Sequence, residues 1–235
     1  MDAKKISQAA RLIAQGKHVV ALTGAGISTP SGIPDFRSAG SGLWERANPM
    51  AVASIWGFME HPQEFYEWVK PLARKILNAE PNPAHWALAQ LEARHKLCAI
   101  ITQNIDNLHQ RAGSKRVLEV HGHLREATCI RCYHIMPAKT LIEKFLRDGQ
   151  VPRCSKCGSV MKPNVVLFGE MLPVSVINDA EDEARLCDVM LVAGSSLEVA
   201  PAAELPLIAK KNGAALIIVN HTSTSVRVLS KSRGA

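Results

Sequence analysis

The sequence predicts an α/β fold, a doubly wound parallel Rossmann-like sheet interrupted by a small inserted domain, and three observations carry that prediction. Short apolar runs end abruptly in Gly, Ser, Asn, Asp or His. Helix-like segments lie between several of these runs, so strand and helix alternate. Two stretches then break the alternation, and one of them carries paired cysteines.

Taken in order, residues 18–22 run into Thr23-Gly24-Ala25-Gly26, and residues 97–101 into Thr102-Gln103-Asn104-Ile105-Asp106. Residues 117–120 end at His121-Gly122, 165–168 at Gly169-Glu170, 189–193 at Gly194-Ser195-Ser196 and 215–219 at Asn220. Uninterrupted apolar runs of this length are what parallel strands buried on both faces require, so six strands are expected to share one polar rim. Helices are expected at residues 6–15, stopped by Gly16, at 84–95, entered through Pro83, and at 201–211, stopped by Gly213. In open α/β sheets ligands bind beyond the carboxyl ends of the strands, where this chain concentrates its polar residues.

The interruptions differ in character. Residues 39–83 hold Trp44, Trp56, Phe58, Phe65 and Tyr66, and Pro71 is expected to kink or end a helix there, giving a small helical module over the crevice. Residues 123–162 hold Cys129-Ile130-Arg131-Cys132 and Cys154-Ser155-Lys156-Cys157, two C-x-x-C pairs at zinc-ribbon spacing. A redox dithiol normally comes singly beside a βαβ unit, so the pairs are assigned to one zinc ion. Four thiolates fill a tetrahedral shell and leave no place for water, which makes the metal structural. Cys98 and Cys187 are expected to be buried fillers.

Composition narrows the function. At 235 residues, 47% hydrophobic and 21% charged, the chain can bury a full core without disulfides. Its apolar runs fall short of the roughly 20 residues a membrane span needs, and its charged start does not read as a secretory signal, so a cytoplasmic location is expected. The formal charge of +7 invites a nucleic-acid partner. Four thiolates around a divalent cation would take two from that sum, and no block of five consecutive basic residues exists, so nucleic acid is not expected to be a direct substrate.

Gly24-Ala25-Gly26 after a strand suits a phosphate-cradling turn, although Thr29 occupies the third fingerprint glycine and a plain turn would use the same residues. The stretch from Ile27 to Ser38 is too rich in Gly, Pro and Ser for a helix and reads as a ligand loop, with Arg37 as a cation for a pyrophosphate. Of nine histidines, His121 alone stands directly at a strand end before glycine, which suits a general base. His18, His85, His95 and His109 are read as ordinary core histidines. Gln103, Asn104 and Asp106 could hold an amide and a ribose, or simply favour a turn.

Together these segments closely resemble the sirtuin (Sir2-like) family, bacterial or archaeal type, from the N-terminal helix to about Asn220. The resemblance rests on the segments 23–28, 32–37, 102–106, 121–122, 162–170, 194–196 and 219–220 and both cysteine pairs, all in the family's order. It implies an NAD-dependent protein-lysine deacetylase or deacylase acting on acyl-lysine proteins or peptides, with NAD consumed as co-substrate. The acyl oxygen attacks the nicotinamide ribose, nicotinamide leaves, and His121 then deprotonates a ribose hydroxyl, so that the acyl group ends on ADP-ribose. By the same analogy Asn104 and Asp106 position the ribose and the carboxamide. Gly24, Ala25, Gly26, Ile27, Ser28, Pro34, Asp35, Phe36, Arg37, Gln103, Ile105, Gly194, Ser195, Ser196, Val219 and Asn220 complete the cofactor site. Phe36 shields the reacting sugar, Val165, Phe168 and Leu172 wall an apolar acyl-lysine tunnel, and Gly169 and Glu170 pair with the substrate backbone.

The resemblance also divides the chain: residues 1–38, 84–122 and 163–220 as a Rossmann-like NAD-binding domain, 39–83 as a helical small-domain insertion, 123–162 as a zinc-binding insertion and 221–235 as an atypical tail. That tail has no acidic residue and no helical apolar stripe, where family members continue with an acidic segment and a last helix, so weakened NAD affinity or stability is expected. Sirtuins that prefer acidic acyl groups carry Tyr-x-x-Arg; here Val69 follows Tyr66 at that spacing, so apolar acyl groups are expected over succinyl. Two alternatives stay open: NAD-dependent protein mono-ADP-ribosyltransfer, and a zinc-ribbon nucleic-acid-binding module. A nicotinamide dehydrogenase is disfavoured by the missing glycine.

Overall fold

The structure, a computed structural model, describes residues 3–35, 48–221 and 224. Its strands are β1 (Val19–Thr23), β2 (Ala99–Thr102), β3 (Val117–Glu119), β4 (Gly122–Cys129), β5 (Ile135–Pro137), β6 (Met161–Val165), β7 (Val189–Ala193) and β8 (Ala215–Val219). Its helices are α1 (Ala3–Gln15), α2 (Pro49–Val52), α3 (Ile55–Glu60), α4 (Pro62–Asn78), α5 (Pro83–Ala93), α6 (Leu108–Arg111), α7 (Ala138–Asp148), α8 (Val174–Leu186) and α9 (Leu205–Lys211).

Five strands form a parallel sheet in the order β3-β2-β1-β7-β8. Side chains of β1 alternate between its faces as strand geometry requires. Val20 and Leu22 join Met190, Val192, Ala184 of α8 and Leu205 of α9, while Val19 and Ala21 join Leu88 of α5 and Leu12 and Ile13 of α1. Helices therefore cover both faces, and complete burial of each aliphatic side chain contributes about 1.5–3 kcal/mol. From β1 the chain winds one way through β2 and β3 and the other way through β7 and β8, so the topological switch lies between β1 and β7.

The sixth expected strand is not in this sheet. Val165 ends β6, which pairs antiparallel with β4 in a second sheet of order β5-β4-β6. A four-residue apolar run encodes burial but not its partner, and here the partner is the strand leaving His121: Val166 N–H donates to the His121 carbonyl at 2.9 Å. Pro71 does not end a helix, since α4 runs through it to Asn78. Phe65 and Tyr66 before it and Leu72, Ala73 and Ile76 after it are all buried, and their packing outweighs the one backbone bond that proline removes. The expected helix at 201–211 begins as a 3-10 turn before α9, and α8, which was not expected, closes one sheet face.

Helices α3 and α4 share their cores with the cysteine-bearing segment. Phe58, Phe65 and Tyr66 pack with Phe145 of α7 and Val160, and Ala73 packs with Ala127, Ala138 and Ile142. The Tyr66 hydroxyl donates to the Met161 carbonyl at 2.7 Å, tying α4 to β6. Among the described residues no helix is long and apolar enough to cross a membrane.

Candidate active site and metal centre

Thr23 and Thr102 end neighbouring strands, and a buried polar network is built upward from them. The Thr23 hydroxyl donates to Thr102 Oγ1 at 2.9 Å and accepts from His109 Nε2 at 2.9 Å, while Asn104 N–H donates to Thr102 Oγ1 at 3.1 Å. Asn104 Nδ2 donates to the Gly24 carbonyl and to Ser28 Oγ, both at 3.1 Å. Ser28 in turn donates to Asp106 Oδ2 at 2.7 Å, and Asp106 Oδ1 accepts from Leu108 N–H at 2.9 Å. With both amide hydrogens of Asn104 held by protein acceptors, its Oδ1 remains to accept from a ligand.

His85 and His109 are buried, as expected, but they are not merely filler. His85 Nδ1 accepts from Asn82 N–H at 3.3 Å, which places its proton on Nε2, 3.5 Å from Ser28 Oγ. Burial holds His85 below the ordinary imidazole range, opposed by Asp106, and takes His109 down to about 3, with His85 adding to the effect. Both rings are neutral supports of the Ser28 and Thr23 hydroxyls.

His121 follows β3 and Val120, at the turn into β4. Its Nδ1 lies 3.1 Å from the Gln103 carbonyl, an acceptor only, so Nδ1 carries the proton and Nε2 presents a lone pair. Burial lowers its pKa, and the Gln103 carbonyl opposes that shift by stabilising the charged ring. A neutral imidazole whose Nε2 has no partner among the described residues is the form a general base requires. Gln103 is fixed in turn: its N–H donates to the Thr23 carbonyl and its Nε2 to Ser195 Oγ at 2.9 Å.

The glycines at the switch also serve the packing of the protein itself. Gly24 N–H donates to the Ala193 carbonyl and Gly26 N–H to the Gly194 carbonyl, while the N–H groups of Ile27 and Ser28 close turns. A Cβ on Gly24 would lie 2.8 Å from the Gly194 oxygen, and one on Gly26 2.9 Å from the Gly194 Cα. Gly194 itself has φ +65°, and a Cβ there would sit 2.2 Å from Ile27 N. These glycines let two loops of the protein touch. Gln103, Asn104, Asp106 and Ser195 stand beside this loop contact at the switch point, and their donors and acceptors suit a nucleotide's ribose and amide groups.

Other expected residues fall variously. Pro34, Asp35, Ile105, Ser196 and Asn220 are half-buried around the rim, and Val219 is exposed at the end of β8. Phe36 and Arg37, and the tail after Asn220 except His221 and Thr224, lie outside the described residues. Val165 packs in the core around Phe58, Phe65 and Tyr66 and Leu172 is partly buried against the large-sheet core, while Phe168 and Gly169 are exposed. Glu170 faces inward: its carboxylate accepts from Leu167 N–H at 2.8 Å and pairs with Lys162 at 2.9 Å. Tyr66 and Val69 both belong to the packed core, with the tyrosine hydroxyl already occupied by Met161.

The cysteine sulfurs of Cys129, Cys132, Cys154 and Cys157 all lie within 4.8 Å of one another. Two turns of the same shape deliver them: Tyr133 (φ 57°) and Gly158 (φ 73°) follow the second cysteine of each pair, and their N–H groups donate to the carbonyls of Cys129 and Cys154. Backbone N–H groups of Cys132 and Arg131 hold the Cys129 thiol below the ordinary range, favouring the thiolate a metal needs. Four converging sulfurs fit tetrahedral zinc, with no fifth donor among the described residues. Burial pushes the Cys187 thiol up to about 11, consistent with a filler.

The Sir2 family pattern matches residues 24–201. The chain is 52% identical over 221 residues to NAD-dependent protein deacylase 2 of Archaeoglobus fulgidus, covering 94% of this chain and 86% of that protein. It is 46% identical over 216 residues to the NAD-dependent protein deacetylase of Thermotoga maritima, covering 92% and 87%. Among solved structures it is similar to a Sir2 enzyme at 50% identity and TM-score 0.89, over 95% of this chain and 89% of that one. A Sir2–p53 peptide–NAD+ complex is 44% identical with TM-score 0.85, over 96% and 89%.

Proposed function

This chain belongs to the Sir2 family, and from that membership we propose that it removes acyl groups from protein lysines by consuming NAD, with His121 as the base. It is an NAD-dependent protein-lysine deacylase with one structural zinc. Relatives of known structure hold a p53 peptide with NAD+ and a propionylated peptide, which supports acyl-lysine proteins or peptides as this chain's substrates.

When bound, NAD supplies a ribose carbon made electrophilic by departure of nicotinamide. Asn104 Oδ1 accepts from a ribose hydroxyl, and Asp106 offers the carboxamide those lone pairs that Ser28 and Leu108 do not use. His121 takes a ribose hydroxyl proton at Nε2, which frees that oxygen to receive the acyl group. The observation that carries this reading is the Nδ1 bond to the Gln103 carbonyl, which fixes the tautomer and leaves the second nitrogen as a base. The Phe168 backbone already pairs with Ala53 and Ile55, so the peptide lies along the exposed Gly169 beside it, while Glu170 holds this segment through Leu167 N–H. Four cysteines kept as thiolate ligands suit a reducing compartment, and we assign the chain to the cytoplasm on that ground.

Incubation with an acetyl-lysine peptide, with and without NAD, tests the proposal when peptide mass and free nicotinamide are followed together. Loss of the acetyl mass only with NAD, one nicotinamide per acetyl group, is expected. A mass gain on the peptide would instead make the chain an ADP-ribosyltransferase.

A further inference from the structure

One ion pair outside the groups used above stands at the base of the turn that carries His121. Arg125, on β4, donates through Nη1 to Glu119 Oε1 at 2.7 Å and through Nη2 to Glu119 Oε2, a two-pronged contact. Nη1 also donates to Asn107 Oδ1 at 3.1 Å. Glu119 is the last residue of β3, two before His121, and its side chain is 9% exposed. Asn107 directly follows Asp106 and holds a left-handed conformation, φ 63°.

These three contacts join the end of β3, the start of β4 and the loop after Asp106. Between Glu119 and Arg125 the chain reverses from the parallel into the antiparallel sheet at Gly122, whose φ of +75° and 2.1 Å approach to the Asn164 oxygen admit only glycine. Val120 N–H donates to the Thr102 carbonyl, and the Gln103 carbonyl accepts from His121. The reversal is thus tied to the segment 102–107 at two levels: by these bonds beside the imidazole and by Arg125 at its base. Arg125 is 42% exposed, so its charge contributes little by itself, but its planar fork on the buried Glu119 carboxylate restricts direction as well as distance.

We propose that Arg125 and Glu119 are positioning residues for His121: their ion pair, with Asn107, clamps the His121 turn onto the loop that orients its ring. The inference rests on the deacylase reading only for which step is slowed. His121 acts after nicotinamide has left, so a misplaced ring slows acyl transfer to ADP-ribose and spares the earlier cleavage.

The test compares the wild type with Arg125→Met, Arg125→Lys and the double variant Glu119→Gln/Arg125→Met, which leaves no unpaired buried charge should the single variant fold poorly. Three readouts are taken: exchange of labelled nicotinamide into NAD, formation of the acylated ADP-ribose product, and the imidazole NMR signals of His121 and His109. Arg125→Met and the double variant are expected to lose about 10- to 100-fold in product formation, the scale of a misplacement near 1 Å, with exchange within about threefold of wild type. The His121 signals should move, those of His109 should not, and Arg125→Lys should recover part of the loss. Equal losses in exchange and product formation, or unmoved His121 signals, overturn the inference. If the wild type itself fails to deacylate, the deacylase reading falls, while the His121 signals still decide whether the clamp positions the ring.

Discussion

The rim above β1, β2 and β7 and the cysteine group of the small sheet both gather polar atoms from distant parts of the chain, but opposite means hold them. At the rim, Thr23, Ser28, Thr102, Asn104, Asp106, His85 and His109 bond to one another, so the arrangement exists without any ligand. In the cysteine group four sulfurs aim at a common centre, and the turns that carry them gain their purpose from an ion there. A site meant for chemistry is preorganised by protein partners and leaves chosen lone pairs open, here, among the described residues, His121 Nε2 and Asn104 Oδ1. A site meant for scaffolding leaves all its donors to the metal.

The sharpest way to break this contrast is to remove the zinc. Chelation, or Cys154→Ser, should unfold α7 and the β4–β6 sheet while the five-stranded sheet keeps its parallel core, seen as partial loss of circular dichroism and protected amides. Structural zinc contributes about 10 kcal/mol or more in isolated fingers, so a stability loss of several kcal/mol is expected here. Deacylation should disappear as well, because β4 begins at Gly122. Retention of α7 after full zinc loss would make the two regions alike.

Next in size is Gly194→Ala. Its positive φ and the 2.2 Å approach to Ile27 N should cost roughly 2–4 kcal/mol in urea unfolding and weaken NAD binding, without touching zinc content. Acid titration then sharpens the rim's side of the comparison. The folded pKa of His109, about 3, lies below its ordinary value of 6.5, so its contribution is fully present above 6.5 and is lost as pH falls towards 3. The slope from this one group is up to about 1.4 kcal/mol per pH unit, and it should shrink in His109→Gln when stability is measured against pH. Smallest is Tyr66→Phe, which removes the hydroxyl from the Met161 carbonyl and should cost about 1 kcal/mol with nicotinamide exchange unchanged.

How far the sequence reached follows the same division between local and distant information. The zinc centre was legible because C-x-x-C is a local pattern whose turn brings two sulfurs together by itself. His121, Asn104 and Asp106 were legible because a polar residue ending an apolar strand must sit on the rim. Residues 165–168 were assigned to the wrong sheet, since a short apolar run does not name its partner. Glu119 and Arg125 gave no signal at all: six residues apart, they meet only because the chain reverses at Gly122. Gly24 and Gly26 carry a second demand that their own segment does not announce, the close approach of the Gly194 loop.

The central claim is that the rim holds His121 as a neutral base through its Nδ1 bond to Gln103. The most direct test is the deacylation rate of an acetyl-lysine peptide against pH, for the wild type and His121→Ala. The account predicts a single acid limb with its midpoint below the ordinary imidazole value of 6.5, because burial lowers the His121 pKa and the base works only when unprotonated. It also predicts a loss of about 10²- to 10⁴-fold in His121→Ala, with no such limb in the residual rate. A midpoint above 6.5, or a variant as fast as the wild type, would contradict it.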